Sequence, residues 1–125
     1  MLNTKRKLSL DWKGYYRYNV QNVARFVPAQ AGVYVLAVQL QGGSRRVFYV
    51  GQGDLRERMY AHLQSTEPNS CIKEYVGRYI CWFKFALLSR HEDRDAAERA
   101  LYLYYRPVCN DPNAIPNVSV VDLNP

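Results

Sequence analysis

The stretch GVYVLAVQL at residues 32–40 decides the fold, together with QGGS at 41–44 and RVFYV at 46–50. Both apolar runs are rich in β-branched and aromatic residues, which favour strands. The glycine pair between them supplies turn residues. The pattern predicts a β-hairpin. Because both alternating faces of the first strand are apolar, we expect the sheet to be covered on both sides.

Outside the hairpin, the sequence predicts helices and one further strand. Apolar spacings of three and four indicate helices, and a β-branched and aromatic run indicates a strand. The expected helices cover residues 20–25, 55–64, 71–79 and about 89–105, and the third strand covers residues 82–88. This pattern predicts an α/β (α+β) domain with a small three-stranded, mainly antiparallel sheet flanked by helices.

Local signals mark the expected ends of these helices. Asp54, with Glu57 three residues later, predicts an N-cap after a flexible loop at Gly51–Gly53. Ser89 to Glu92 is a second capping-box pattern. We expect residues 1–13 to form an arm or mobile end, and the tail from 112 to be mostly irregular, with a short strand at 118–121.

Composition and charge restrict the class of protein. The 125 residues fit one domain, and 17 Lys and Arg against 11 Asp and Glu give a net charge of +6. Excess positive charge favours a polyanionic partner such as nucleic acid, and basic residues cluster at 5–7, at 45–46 and at 56 and 58. No apolar stretch suits a membrane span or a secretory signal, which predicts a soluble, cytoplasmic protein.

The three cysteines, Cys71, Cys81 and Cys109, form no CxxC pair and no zinc-binding cluster. Their odd number argues against a closed disulfide framework. Each lies beside apolar or aromatic residues. We therefore expect free, buried cysteines in a reducing cytoplasm.

Several motifs recur in an informative order. They are Gly32-Val33-Tyr34, Tyr49-Val50-Gly51, Arg58 with His62, Glu98, Tyr105-Arg106-Pro107 and Asn110. In this order they resemble the GIY-YIG nuclease superfamily over residues 31–111, with Val for Ile in both signatures. Residues 1–30 then form a basic, Tyr-rich N-terminal extension, and residues 112–125 a C-terminal tail.

The resemblance implies a metal-dependent endonuclease that hydrolyses phosphodiester bonds in DNA with a single divalent metal, Mg²⁺ or Mn²⁺. RNA is the alternative substrate, and a partner or DNA shape could supply specificity. Such chemistry needs a cation for the phosphate oxygens and a group that activates water. The alternative function is a catalytically inactive nucleic-acid-binding module with the same fold. A protein-binding scaffold is the least favoured interpretation.

Three helix residues are candidates for the charged part of the site. Glu98, on an alanine-rich helix, is the predicted metal ligand, and the alternative is a solvated Glu paired with a helix neighbour. Arg58 would hold the scissile phosphate through two oxygens, or it is a surface Arg. His62, one turn later on the same face, would transfer a proton or contact phosphate, or it is a helix-end His.

The resemblance assigns the remaining roles. Tyr34 would orient or deprotonate the attacking water, with its pKa lowered by Arg58 and the metal. Tyr49 would hydrogen-bond phosphate or water. The alternative for both is that they are ordinary strand aromatics. Four residues are expected to bind substrate or support the site. Gly51 would admit the phosphate, and Gln52 stands where the family often has Lys or Ser. Arg56 should point away from Arg58, and Asn110 would fix the loop near Glu98.

Overall fold

The computed structural model describes residues 6–125, so Lys5 of the basic N-terminal cluster lies outside the described residues. Its strands are β1 (Lys7–Leu8), β2 (Lys13–Arg17), β3 (Ala31–Gln39), β4 (Arg45–Asp54), β5 (Cys81–Leu87) and β6 (Asp122–Leu123). Its helices are α1 (Val20–Phe26), α2 (Leu55–Ala61), α3 (Ser70–Arg78) and α4 (His91–Tyr105), with one 3₁₀ turn at Pro112–Ala114.

The main sheet has the strand order β2-β5-β3-β4, and all its neighbours are antiparallel. The predicted hairpin is confirmed as β3 and β4, and so is the α+β class. The sheet has four strands rather than the expected three, because β2 from the N-terminal extension pairs with β5. The division of the chain at residues 30 and 31 stays a prediction.

The loop expected at Gly51–Gly53 is instead part of a strand. β4 continues to Asp54, and Gly51 and Gly53 pair with Tyr34 and Gly32 of β3. The prediction of a flexible loop was wrong because strand pairing outweighs the low strand propensity of glycine. The residues that follow the second signature are therefore held in register with the first.

Of the two predicted helix caps, one is confirmed. The Asp54 side chain accepts a hydrogen bond from the Glu57 backbone N–H at 3.0 Å. At α4 the N-cap is Arg90, which makes no side-chain cap bond, so the capping box predicted at Ser89 is wrong.

Both chain ends differ from the sequence prediction. β1 and β6 form a separate parallel pair, and the expected strand at 118–121 lies instead at Asp122–Leu123. Asn124 accepts a hydrogen bond from the Leu10 backbone N–H and donates one to the Leu10 carbonyl, both at 2.7 Å. The segment before β2, within the expected mobile arm, is thereby attached to the C-terminal residues.

The sheet is covered on both faces, as predicted. On one face, α1, α2 and α3 contribute to a core with Tyr34, Leu36, Phe48 and Phe83. On the other, α4 contributes Ala97 and Leu101 to a core with Val33 and Val35. Among residues 6–125, no helix has the length and apolar character needed to cross a membrane.

The prediction of three free cysteines is wrong for two of them. Cys71 of α3 and Cys109 form a disulfide across 38 residues of sequence, with their Cα atoms 5.3 Å apart. Cys81 is free and buried. The pairing was not predictable from spacing, because it depends on the segment after α4 returning beside the start of α3. There Asn69 donates a hydrogen bond to the Cys109 carbonyl at 3.0 Å.

Candidate active site

The hairpin brings the two signature tyrosines onto one face of the sheet. Tyr34 pairs with Gly51, and Tyr49 pairs with Leu36, two positions farther along β3. Side chains two positions apart point to the same face, and the two tyrosine rings lie 6.2 Å apart between centroids. Helix α2 follows β4 directly and carries Arg58, whose positive charge acts to lower the pKa of both tyrosines.

Gly51 makes room for the Tyr34 side chain. A Cβ at position 51 would lie only 2.4 Å from Cζ and Oη of Tyr34, which real atoms do not tolerate. Tyr34 is fully buried. The glycine of the second signature is therefore needed for the tyrosine of the first, a role that the sequence prediction of phosphate access did not include.

His62 lies behind Tyr34 rather than on the surface. Its Nε2 is 2.7 Å from Tyr34 Oη, and its Nδ1 is 3.0 Å from Oε2 of Glu67. The side chains of His62 and Glu67 are only 3% and 5% exposed. Sequence reasoning missed Glu67, because it lies in the irregular segment after α2, where no periodic pattern distinguishes it from a solvated surface residue.

Burial is the largest influence on the pKa values of Tyr34, Tyr49 and His62. Burial raises the pKa of Tyr34, although Arg58 acts in the opposite direction. Burial likewise raises the pKa of Tyr49 and lowers the pKa of His62, against the influence of Glu67. The expected lowering of the Tyr34 pKa by Arg58 is therefore outweighed, and Tyr34 stays a neutral phenol unless a partner accepts its proton.

Helix α4 places Glu98 against Gln52 of β4, where its charge acts on the pKa of Tyr34 and Tyr49. Nε2 of Gln52 donates to Oε1 of Glu98 at 3.0 Å and to Oδ1 of Asp95 at 2.7 Å. Arg94 in turn donates to Oε1 of Gln52 at 3.3 Å. Gln52 thus replaces the expected helix neighbours as the hydrogen-bond partner of Glu98. Asp95 was not predicted as part of this cluster.

The surroundings of the Glu98 carboxyl disfavour its ionised form. Burial raises its pKa, and the nearby Asp95 carboxylate raises it further, whereas the hydrogen bond from Gln52 and the charge of Arg58 lower it. The net direction is upward. A carboxylate under these conditions gains from a bound cation, because opposite charge within a few ångströms favours the ionised form.

Asn110 and Arg56, two of the expected supporting residues, form hydrogen bonds with backbone groups. Asn110 forms a pair of hydrogen bonds with the Val50 backbone, accepting from N and donating to O, each at 2.9 Å. It therefore fixes β4 between Tyr49 and Gly51. Arg56 donates to the Val27 carbonyl at 2.8 Å and ties α2 to the end of α1. The structure does not bring Arg56 to the tyrosine cluster.

The donor set suits a hard divalent cation. Glu98 offers carboxylate oxygen, and Asp95 places a second carboxylate beside the same Gln52 amide. Magnesium is commonly bound by one or two carboxylates, with water and phosphate oxygens completing the shell. Within residues 6–125, no group of three or more His, Cys, Asp or Glu side chains is arranged to hold a metal ion. Glu98 is the residue that would hold the cation.

Comparisons with known proteins support the fold. No protein-family model matches the chain, and no curated protein sequence matches it significantly. Solved structures do match. Among them is the GIY-YIG N-terminal endonuclease domain of UvrC from Thermotoga maritima with bound magnesium (19% identity, TM-score 0.53, covering 74% of this chain and 96% of that one).

Two tyrosine point mutants of the same Thermotoga maritima domain, bound to its catalytic divalent cation, match similarly. The first shows 19% identity and a TM-score of 0.54, and the match covers 74% of this chain and 94% of that one. The second shows 20% identity and a TM-score of 0.53, and the match covers 74% of this chain and 96% of that one. At this identity the likeness establishes the fold. The chain therefore has the fold of a GIY-YIG endonuclease domain, as the ordered motifs predicted.

Proposed function

We propose that this protein is a metal-dependent endonuclease that hydrolyses phosphodiester bonds in DNA with a single divalent cation. One observation carries the proposal. Two strand tyrosines, an arginine from α2 and a carboxylate from α4 converge on one cluster, in which Arg58 interacts electrostatically with Tyr34, Tyr49 and Glu98. These are the groups that phosphodiester hydrolysis requires.

Glu98 serves as the metal ligand. When bound, the cation supplies positive charge that stabilises the phosphate oxygens in the transition state. The Gln52 amide holds the Glu98 carboxylate in place from β4. It carries no charge of its own and therefore does not compete electrostatically with the cation.

Arg58 binds the scissile phosphate. A guanidinium offers paired N–H donors that match two phosphate oxygens, and it stays charged at any working pH. The burial of its neighbours strengthens its effect, because electrostatic interactions are weaker in water than beside a protein core. Arg58 is exposed, so a phosphate can reach it from solvent.

Tyr34 activates the attacking water by passing its own proton to His62. As a water O–H bond breaks, its proton moves to Tyr34 Oη, and the phenol proton moves to His62 Nε2, which lies 2.7 Å away. The resulting hydroxide attacks phosphorus, the bond to the leaving oxygen breaks, and that oxygen takes a proton from solvent. A phenol of raised pKa can act in this way because it never has to become a free phenolate.

Substrate binding gives water access to the Tyr34 hydroxyl. The tyrosine is fully buried. Of the two polar side chains that act on its hydroxyl, His62 is buried and Arg58 is exposed. A phosphate that draws the Arg58 guanidinium toward itself frees the phenol oxygen for water. The cluster is thus closed in the free protein and completed by the DNA backbone.

A hollow farther along the edge strand β4 suits the continuing DNA backbone. Its volume is about 250 Å³, and Arg46 and Arg106 line it together with Tyr75 and Tyr105. No hydrogen bond or ion pair engages either guanidinium within residues 6–125. Arg46 and Gln52 are six residues apart on β4, about 20 Å in an extended strand. Arginine at that distance fits phosphates several nucleotides from the cut.

Cleavage of supercoiled plasmid tests this function. Wild-type protein should nick or linearise it with Mg²⁺ or Mn²⁺ and do nothing in EDTA, whereas Glu98→Ala should bind DNA but not cut. Glu74→Ala, on the exposed surface of α3, is the matched control and should cut normally. Cleavage by Glu98→Ala at the wild-type rate would disprove the metal assignment. Binding without cleavage by wild type, on plasmid and on branched DNA, would favour the non-catalytic module.

A further inference from the structure

The series of hydrogen bonds that starts at the Tyr34 hydroxyl continues beyond His62 to Glu67. We propose that Glu67 is a positioning residue, which holds His62 in the tautomer with its proton on Nδ1 and so keeps Nε2 free to accept the proton of Tyr34. The proposal rests on the nuclease function proposed above and adds a residue to it. It turns the tyrosine and histidine pair into a three-residue relay of Tyr, His and Glu.

The tautomer follows from the hydrogen-bonding capacities of the three groups. An ionised carboxylate can only accept, so the His62 nitrogen that faces Glu67 Oε2 at 3.0 Å must carry a proton. In a neutral imidazole, the other nitrogen is then an acceptor. That nitrogen, Nε2, faces Tyr34 Oη at 2.7 Å, and the phenol donates to it.

Backbone contacts determine where the Glu67 carboxylate lies. Its second oxygen, Oε1, accepts from the Asn69 backbone N–H at 3.1 Å. Asn69 is itself held, because its side chain caps α3 by accepting from the Ile72 N–H and also donates to the Cys109 carbonyl. Glu67 is therefore oriented from both oxygens, and its buried charge is compensated by two donors.

The surroundings of His62 make Glu67 its counterion. The titratable and charged groups that face the imidazole are Tyr34 from β3, Tyr49 from β4 with its ring 5.1 Å away, Arg58 from α2 and Glu67 from the loop before α3. Burial and Arg58 lower the pKa of His62, whereas the hydrogen bond and charge of Glu67 raise it. When His62 takes the tyrosine proton, Glu67 is the group that stabilises the imidazolium.

Glu67→Gln changes the tautomer without changing the shape. The glutamine has one carbonyl oxygen, and the Asn69 N–H requires an acceptor there. Its NH₂ group must then face Nδ1 of His62, which has to become an acceptor, and the proton moves to Nε2. A proton on Nε2 points at the Tyr34 oxygen and blocks the transfer. We expect single-turnover cleavage to fall by about 10²–10⁴, as for other losses of a histidine orienter.

The tautomer itself is measured by ¹⁵N NMR of the imidazole nitrogens in the folded, metal-free protein. The chain has two histidines, so His91→Gln assigns the His62 signals. We expect the proton on Nδ1 in wild type, on Nε2 in Glu67→Gln, and on Nδ1 in the matched control Glu74→Gln. A wild-type Nε2–H tautomer would overturn the proposal whether or not the protein cleaves DNA. The NMR result thus separates failure of this relay from failure of the nuclease function.

Cleavage rates against pH provide a second readout that a purely structural role would not change. In wild type, the rate should rise as His62 loses its proton and then level off. Because Glu67 raises the pKa of His62, the residual activity of Glu67→Gln should rise at lower pH than that of wild type. DNA affinity should be unchanged. Equal rates for Glu67→Gln and wild type, with both tautomers as expected, would show that Glu67 orients His62 without contributing to the reaction, and the proposal would be wrong.

Discussion

The Tyr34 hydroxyl group shows how a single residue depends on its neighbours in this site. Its ring is fully buried, its oxygen reaches His62, and its position is available because residue 51 has no side chain. The first and second signatures are therefore coupled by direct contact and not only by a shared role. Two predictions at the residue scale follow from this packing and from the charge of Glu98.

Gly51→Ala should destabilise the protein by about 1–3 kcal/mol, because the new methyl group would overlap the Tyr34 ring and force it to move. Gly77→Ala is the matched control. No atom lies within 4 Å of a Cβ at that helical position, and alanine should stabilise α3 by about 0.5–1 kcal/mol. Urea denaturation measures both changes. Equal stability of Gly51→Ala and wild type would contradict the tight contact with Tyr34.

Glu98→Gln should raise the melting temperature by a few degrees in EDTA. The pKa of Glu98 is raised above its ordinary 4.5 in the folded protein, so its ionisation destabilises the fold as pH rises through the folded pKa. The loss is complete above the folded pKa, and the neutral amide avoids it. Mg²⁺ should stabilise wild type and not the variant.

Thermal unfolding at pH 5 and pH 8, with and without Mg²⁺, checks this expectation, and Glu74→Gln on exposed α3 is the control. The gain of Glu98→Gln over wild type should be larger at pH 8. A lower melting temperature for the variant in EDTA would mean that the Glu98 charge is compensated within the protein.

At the scale of elements, the outer edge of β4 is covered by the segment after α4. The Cys109 N–H donates to the Phe48 carbonyl at 2.9 Å, and Asn110 holds both backbone groups of Val50. This cover prevents a second chain from pairing with the edge strand. The Cys71–Cys109 disulfide links the same segment to α3, on the side of the sheet that carries Glu67 and His62.

Reduction of this disulfide should lower the free energy of unfolding by about 3–4 kcal/mol, the chain-entropy value for a loop of this length. Guanidinium denaturation with and without a reductant measures the loss. The thiol content is an independent check. Unreduced, unfolded protein should show one reactive thiol, from Cys81, and Cys81→Ala should show none.

Native protein should react slowly with thiol reagents in the same experiment, because burial raises the pKa of Cys81 to about 11. Three reactive thiols after unfolding without reductant would contradict the disulfide. Because four hydrogen bonds also hold the segment at 109–110, we expect the reduced protein to stay folded at 25 °C and to keep its activity.

At the scale of the whole molecule, basic side chains that contribute to the net charge of +6 lie near both ends of β4. Arg58 lies beside Gly53 at one end of β4, and the pair Arg46 and Arg106 lies at the other end. Arg106 ends α4 in the left-handed conformation, at φ 48°, where glycine is usually favoured. The edge of β4 thus offers basic groups over a length that suits several nucleotides of DNA.

The double variant Arg46→Ala, Arg106→Gly should bind DNA more weakly, and the slope of log K against log salt should fall by about 1 for each phosphate that the protein no longer binds. Glycine at 106 preserves the left-handed backbone and so keeps the helix end. Arg78→Ala, an exposed arginine paired with Glu74, is the control and should not change the slope.

Fluorescence anisotropy over a range of salt concentrations gives the slopes. Cleavage at saturating DNA should stay near the wild-type rate, because neither residue contacts the tyrosine cluster. An unchanged slope would place the DNA path on another face of the protein.

The sequence by itself determined the hairpin, the order of the helices and the signature residues Tyr34, Tyr49, Arg58 and His62. These features are local. Alternating apolar residues with a Gly-Gly turn specify β3 and β4, and the Asp54 cap starts α2 directly after β4. Arg58 lies on α2, and His62 is the C-cap of the same helix, four residues later. Short-range geometry therefore sufficed to bring Tyr34, Tyr49 and α2 together.

Only the tertiary structure decided the features that join distant segments. β2 enters the sheet by pairing with β5, the disulfide spans 38 residues, and Glu67 becomes significant because its segment folds over His62. In the sequence, Glu67 looks like any solvated glutamate and Cys109 like any buried cysteine. Their roles arise from burial and from partners that chain folding brings within about 3 Å, a hydrogen-bond distance, and no local pattern encodes either.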